Sequence, residues 1–233
     1  SDSRRTCRSC NRPDRRDYPP PLNRSVHIWV TMKYIWLVFL AAVAGVTAFW
    51  PNADIEVSRW FFVEGAGFPW ATTPVALLLR ESAAVTPICL GAVLLIGLTV
   101  AVKRQKRVRP WLFLFLALLL GPGVITNLVF KDNWGRARPV QTEIFGGTQH
   151  FTPWWQPAHE CRKNCAFFSG DAAYGFIFPA LGGVLRARRR WFWGGIMVGV
   201  VMGANRIMMG AHFASDIAWA ALMMLGVMFA LHA

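Results

Sequence analysis

Acidic residues are scarce in this chain: 12 Asp and Glu stand against 25 Lys and Arg in 233 residues, a formal net charge of +13. The polar setting that a nucleic-acid-binding basic patch requires is missing as well. The cations instead crowd short stretches between apolar blocks, at 103–109 (KRQKRVR) and 186–190 (RARRR). Cysteine is sparse, with five in all. Cys7 and Cys10 form a CxxC, but no second ligand pair follows, which argues against a zinc site. No internal repeat of 20–50 residues is present. The short amphipathic repeats of a soluble domain are absent too.

What is there is long apolar runs. Hydrophobic residues make up 55% of the chain, and a helix needs about 20 of them in succession to cross the hydrocarbon layer. Segments 34–50, 83–102 and 111–130 meet or approach that length. Segments 191–204 and 213–231 qualify once their polar margins are placed at the interface. Segment 172–185 is the weakest, because Pro179 and three glycines interrupt it. The expectation is an all-α integral membrane protein, a six-transmembrane-helix bundle over residues 32–233. Cytoplasmic loops carry the excess of Lys and Arg. Placing both basic loops inside puts both termini inside and sends loops 51–82 and 131–168 outward.

Residues 1–31 are polar and rich in arginine and proline, and are expected to form a disordered basic extension dispensable for folding and activity. Residues 54–62 (DIEVSRWFF) mix acids, an arginine and bulky aromatics. They read either as an amphipathic helix in the interface, forming with Phe68 and Trp70 a surface for entering lipid, or as an ordinary aromatic belt. Cys161 and Cys165 fall in the outward loop, where an oxidising compartment would permit a disulfide; two free thiols are the alternative. Cys89 reads as packing within the second span.

Three polar clusters interrupt the apolar blocks: 131–139 (KDNWGRARP), 169–171 (SGD) and 206–216 (RIMMGAHFASD). The topology places all three at one non-cytoplasmic face, and ionisable groups beside a span are functional candidates by default. Lys131 and Arg138 supply a point charge and a planar fork for phosphate oxygens. Arg136 need not face the same way. Ser169 and Gly170 stand at a helix start, where backbone N–H groups and the dipole favour an anion, although Ser169 or Asp171 could simply cap that helix. His212 and Asp216, four apart, share a helix face. A carboxylate on one imidazole nitrogen fixes the tautomer and frees the other nitrogen to attack. Arg206 precedes them by one short turn.

The pattern Lys–six residues–Arg-Pro, Ser-Gly, and Arg–five residues–His–three residues–Asp resembles the type 2 phosphatidic acid phosphatase superfamily over residues 111–233. The resemblance implies that Lys131, Arg138, Arg206, Ser169 and Gly170 bind phosphate. It implies that His212 attacks phosphorus to form a phosphohistidine while Asp216 orients it, and that no metal or other cofactor is needed. One motif departs: familiar members have Pro-Ser-Gly-His, whose histidine protonates the leaving group, and this chain has Phe168-Ser169-Gly170-Asp171. Asp171 is therefore the candidate general acid, with His150 and His159 as substitutes. An acid there fits an activated leaving group and resembles lipid A phosphatase-like members.

The expected function is a membrane lipid phosphatase, with lipid A or a polyprenyl diphosphate favoured. The expected partners are a phospholipid or lipid-phosphate substrate and the bilayer, not nucleic acid. The expected location is an inner membrane, with the site facing the periplasm. A phosphotransferase using the same phosphohistidine, vanadate-dependent halide oxidation and a catalytically silent lipid-phosphate binder are the competing readings.

Overall fold

The computed structural model describes residues 24–185 and 188–232. Cys7 and Cys10 lie outside the described residues, as do residues 1–23 of the expected extension. Helix begins earlier than the expected boundary at Met32, because α1 runs Arg24–Phe49. The chain divides into two units, residues 1–35 and 36–233. The described part of the first is the opening of α1, and the second carries every other element.

Among the described residues there is no strand, and the fold is all-helical. The elements after α1 are α2 (Ala53–Arg59), α3 (Pro74–Lys103), α4 (Arg109–Lys131), α5 (Gly170–Phe176), α6 (Leu181–Val184), α7 (Arg188–Met208) and α8 (Ala214–His232). Three helices are long and apolar enough to cross a membrane: α3, α4 and α8. A fourth is reached if Lys33–Phe49 and Ala53–Arg59, bent by 87°, are taken as one span. Six were expected. Residues 172–185 form no continuous helix, since a 3-10 turn at Phe178–Ala180 carrying Pro179 separates α5 from α6. Proline has no N–H to continue a helix. α7 has the length of a span but carries Asn205 and Arg206 near its end.

The glycines around that break have a second use. A Cβ on Gly175 would stand 2.6 Å from Gly199 Cα, so the missing side chains let α5 and α7 approach backbone to backbone, as small residues do between membrane helices.

The lower half of α4, Leu119–Lys131, is a π-helix. Pro122 removes a backbone donor there. Asn127 Nδ2 donates to the Pro122 carbonyl at 2.8 Å and Thr126 Oγ1 to the Gly121 carbonyl at 3.3 Å, both five residues back. Wide turns of this kind gather at functional sites, and this one ends on Lys131.

The polar residues of α2 divide between two faces: Glu56 and Arg59 are exposed, whereas Asp54 and Ser58 turn inward. Asp54, Ile55 and Ser58 are buried. Ile55 joins Phe68, Phe145 and Phe213 in an apolar cluster, so Phe68 belongs to the core and not to a surface for entering lipid. Trp70 Nε1 donates to Asn205 Oδ1 at 2.8 Å and ties the 51–73 loop to α7.

Candidate active site

The π-helical end of α4 aims Lys131 at the start of α5: its Nζ lies 3.1 Å from where a Cβ on Gly170 would stand. A side chain there would require the lysine end to give way by a few tenths of an ångström. Ser169 is the N-cap of α5, its Oγ accepting from the Ala172 N–H at 3.4 Å. The capping reading of Ser169 therefore holds in the structure, and its hydroxyl is buried beside the Gly170 N–H.

The loop after α4 is stitched to the segment before α5. The Lys131 carbonyl accepts from the Cys165 N–H at 2.9 Å and the Arg136 carbonyl from the Ala166 N–H at 3.0 Å. Asp132 Oδ1 accepts from the Asn164 N–H at 3.0 Å. Arg138 donates to the Asn164 carbonyl at 2.7 Å. Cys161 and Cys165 are joined in a disulfide that closes this short turn. Burial, the neighbouring Arg206 charge and Arg80 lower the Arg138 pKa, against the pull of Asp171.

Arg206, near the end of α7, has Nε 3.1 Å from Asp171 Oδ2. The pair is close enough for charge attraction but not aligned as a hydrogen bond, and this buried Nε has no hydrogen-bond partner. Such an orphan donor is costly unless a ligand takes it. A turn follows in which Gly210 adopts φ +63°, while a Cβ there would strike the Phe68 ring. That turn delivers His212 to the same place.

His212 is fully buried. Its Nδ1 lies 2.7 Å from the Ala166 carbonyl and 3.6 Å from Asp216 Oδ2. Burial lowers the His212 pKa to about 4, opposed by Asp216 and aided by Arg206 and Arg138. The imidazole is neutral at pH 7. A carbonyl can only accept, so the proton sits on Nδ1 and the Nε2 lone pair is free.

Asp216 has other duties. It accepts from the Phe213 N–H at 2.8 Å, closing the first turn of α8, and from Arg136 at 2.5 Å. Arg136 is wholly buried; it also donates to Asp54 at 2.7 Å, to Ser215 Oγ at 2.9 Å and to the Thr152 carbonyl at 2.9 Å. Its guanidinium lies 4.3 Å from the Phe213 ring centroid, within cation–π range. Asp54 in turn accepts from the Ser215 N–H at 2.8 Å, placing a negative charge at the N-terminus of α8. Burial works against the charged guanidinium, but Asp216 and Asp54 outweigh it and raise the Arg136 pKa.

The profile of the PAP2 superfamily matches residues 110–233. The chain belongs to the PAP2 superfamily. It is similar to the lipid A 4'-phosphatase of Francisella tularensis subsp. novicida (strain U112), 31% identical over 199 residues, 81% of this chain and 85% of that protein. It is also similar to the lipid A 4'-phosphatases of Rhizobium leguminosarum, 31% identical over 207 residues (79% and 86%), and of Rhizobium etli, 33% identical over 212 residues (81% and 80%). No solved structure matches it. It is a phosphatase, a phosphoric monoester hydrolase.

The PAP2 motifs converge in three dimensions: Lys131 meets Gly170, Arg206 meets Asp171, and His212 meets the residue that follows the disulfide. His150 instead pairs with Glu143 at 3.2 Å and His159 is exposed. Among the described residues neither touches the cradle, and no three His, Cys, Asp or Glu gather as metal ligands. Sequence reasoning passed over the Asp54–Arg136 pair and the Ala166 carbonyl. The one available signal was a second arginine in a loop with few acids to neutralise it.

Proposed function

We propose that this PAP2 protein removes a phosphate from lipid A, or from a lipid with a similar phosphorylated sugar head, through a phosphohistidine and without metal. Lys131, Arg138 and Arg206 hold the phosphate oxygens, with Ser169 and the Gly170 N–H beside them. The His212 Nε2 lone pair attacks phosphorus as the phosphorus–oxygen bond to the lipid breaks. The leaving oxygen takes a proton from Asp171 or from water. Water then attacks the phosphohistidine, releasing inorganic phosphate and restoring neutral His212. Phosphoryl transfer asks mainly for positioning and charge stabilisation, and three cations around one nucleophile offer both.

In this reading α1, α3, α4, the broken α5–α6 segment, α7 and α8 make six crossings. The site then faces the periplasm from the inner membrane. The carrying observation is the buried, unpartnered Arg206 Nε beside Asp171, next to an imidazole whose free nitrogen has no other task. The names of the relatives favour lipid A over a polyprenyl diphosphate.

The test is phosphate release by the purified protein in detergent with chelator present. Lipid A, undecaprenyl diphosphate, phosphatidylglycerophosphate and phosphatidic acid are compared, with His212→Ala as control. Release from lipid A that disappears in the variant is expected. Release only from phosphatidic acid would overturn the substrate assignment, and activity surviving in His212→Ala would overturn the mechanism.

A further inference from the structure

Arg80 stands on the wrong face of α3 for a residue that meets lipid. The packed stripe of α3 runs through Ala76, Ala83, Leu94 and Ala101, all buried, with Pro87 and Leu90 half-buried between them. Position 80 is four residues from Ala76 and three from Ala83, hence on that stripe. It is nevertheless exposed. An exposed side chain on a packed stripe faces an opening between helices.

The structure shows what that opening adjoins. Asn205 Nδ2 donates to the Ala76 carbonyl at 3.2 Å, so the turn of α3 that precedes Arg80 is fastened to the residue beside Arg206. Arg80 lies within electrostatic reach of both Arg138 and Arg206. No carboxylate pairs with it among the described residues.

Charge balance says what it awaits. Lys131, Arg138 and Arg206 against Asp171 leave the cradle two positive charges in excess, which one phosphate dianion neutralises. Arg80 is a further charge with no counterpart. α3 has 30 residues and is about 45 Å long, against about 30 Å of hydrocarbon. Its first turns therefore reach the depth of lipid headgroups, and Arg80 is about 9 Å from its start.

We propose that Arg80 binds a second anionic group on the same lipid, a second phosphate, while the scissile phosphate sits among Lys131, Arg138 and Arg206. The inference rests on the phosphatase reading above and assigns its specificity: a doubly phosphorylated head is preferred to a singly phosphorylated one. A guanidinium suits the task because its fork grips phosphate oxygens two at a time. The contact is made before the chemistry and kept through it, so it acts on KM and not on kcat.

The experiment compares wild type, Arg80→Ala and Arg80→Lys in non-ionic detergent free of added phospholipid, which leaves the substrate as the only source of a second phosphate. Two matched disaccharide lipids are used, one with two phosphates and one with only the scissile phosphate. Arg80→Ala is expected to raise KM for the first about tenfold, equivalent to about 1.4 kcal/mol, with much less change for the second. Arg80→Lys is expected to recover part of the difference. Equal KM shifts for both lipids, or no shift for either, would overturn the second site while leaving the phosphatase intact. A wild type inactive on both lipids would remove the phosphatase reading and this inference with it.

Discussion

His212 gives its Nδ1 to the Ala166 carbonyl at 2.7 Å, while Asp216 Oδ2 stands 3.6 Å away. The carbonyl holds the tautomer, and in the proposed mechanism the carboxylate is left to stabilise the positive charge that develops on the ring during attack. Asp216→Asn should therefore keep the correct tautomer and lower kcat by about 10²-fold, as loss of one electrostatic contact does. A loss near 10⁴-fold in steady-state phosphate release, the size seen when a histidine takes the wrong tautomer, would mean that Asp216 and not Ala166 holds the ring.

Burial, opposed by Asp216 and helped by Arg206 and Arg138, puts the His212 pKa at about 4, below the ordinary value of about 6.5. Between those values the unfolded chain takes up a proton here and the folded chain does not. Stability contributed by neutral His212 is complete above about 6.5 and is lost as pH falls to about 4, a change on the order of 3 kcal/mol. As the proposed nucleophile, His212 likewise remains neutral down to about pH 4. The acid limb of kcat/KM, followed by phosphate release from pH 3.5 to 8, should lie near 4; a limb near 6.5 would contradict the buried imidazole.

Arg136 is held between Asp54 and Asp216 with no exposure to water. Breaking a buried pair by removing one partner leaves a charge uncompensated and costs about 3–5 kcal/mol. Arg136→Ala and Asp54→Ala should each lower thermal stability in detergent by that order. The double variant should cost less than the two single losses added, because it removes both charges of the contact. Strict additivity would mean the two side chains are not coupled.

These same residues show where the sequence was and was not readable. Lys131, Arg206 and His212 stood out because each borders or interrupts an apolar block, Arg138 followed in the same loop, and the cation-rich loops led to the expectation of one face for all four. The break at Pro179 was visible as proline and glycine within the fourth apolar run. Asp54 and Arg136 were hidden because their meaning is a contact across 82 positions, and neither residue has a local pattern that names its partner. The role of Ala166 was unreadable in principle, since it acts through a backbone carbonyl that any residue carries. The disulfide stood between: the spacing of Cys161 and Cys165 allowed a bridge, and the turn that realises it depends on contacts with residues 131–136.

That bridge closes a turn whose Asn164 carbonyl receives Arg138. A five-residue loop restrains the unfolded chain by about 2 kcal/mol in the chain-entropy view. Cys161→Ser, or reduction with dithiothreitol, should lower the thermal midpoint accordingly. It should also raise KM several-fold as Arg138 loses its support, with a smaller effect on kcat. Unchanged KM in the reduced protein would show that Arg138 holds its place by other contacts.

In the proposed mechanism Asp171 competes with substrate for Arg206. Its Oδ2 lies 3.1 Å from an Nε that has no aligned partner, so a bound phosphate and this carboxylate seek the same donor. Asp171→Asn removes the rival charge, and inhibition by inorganic phosphate should tighten several-fold. If the carboxyl group also delivers the proton to the leaving oxygen, the same variant should lose about 10²-fold or more in kcat, the usual worth of a general acid. The two effects have opposite signs and are read separately, as a phosphate inhibition constant and a turnover number. An Asp171→Asn protein with normal turnover and normal phosphate inhibition would leave Asp171 with neither role.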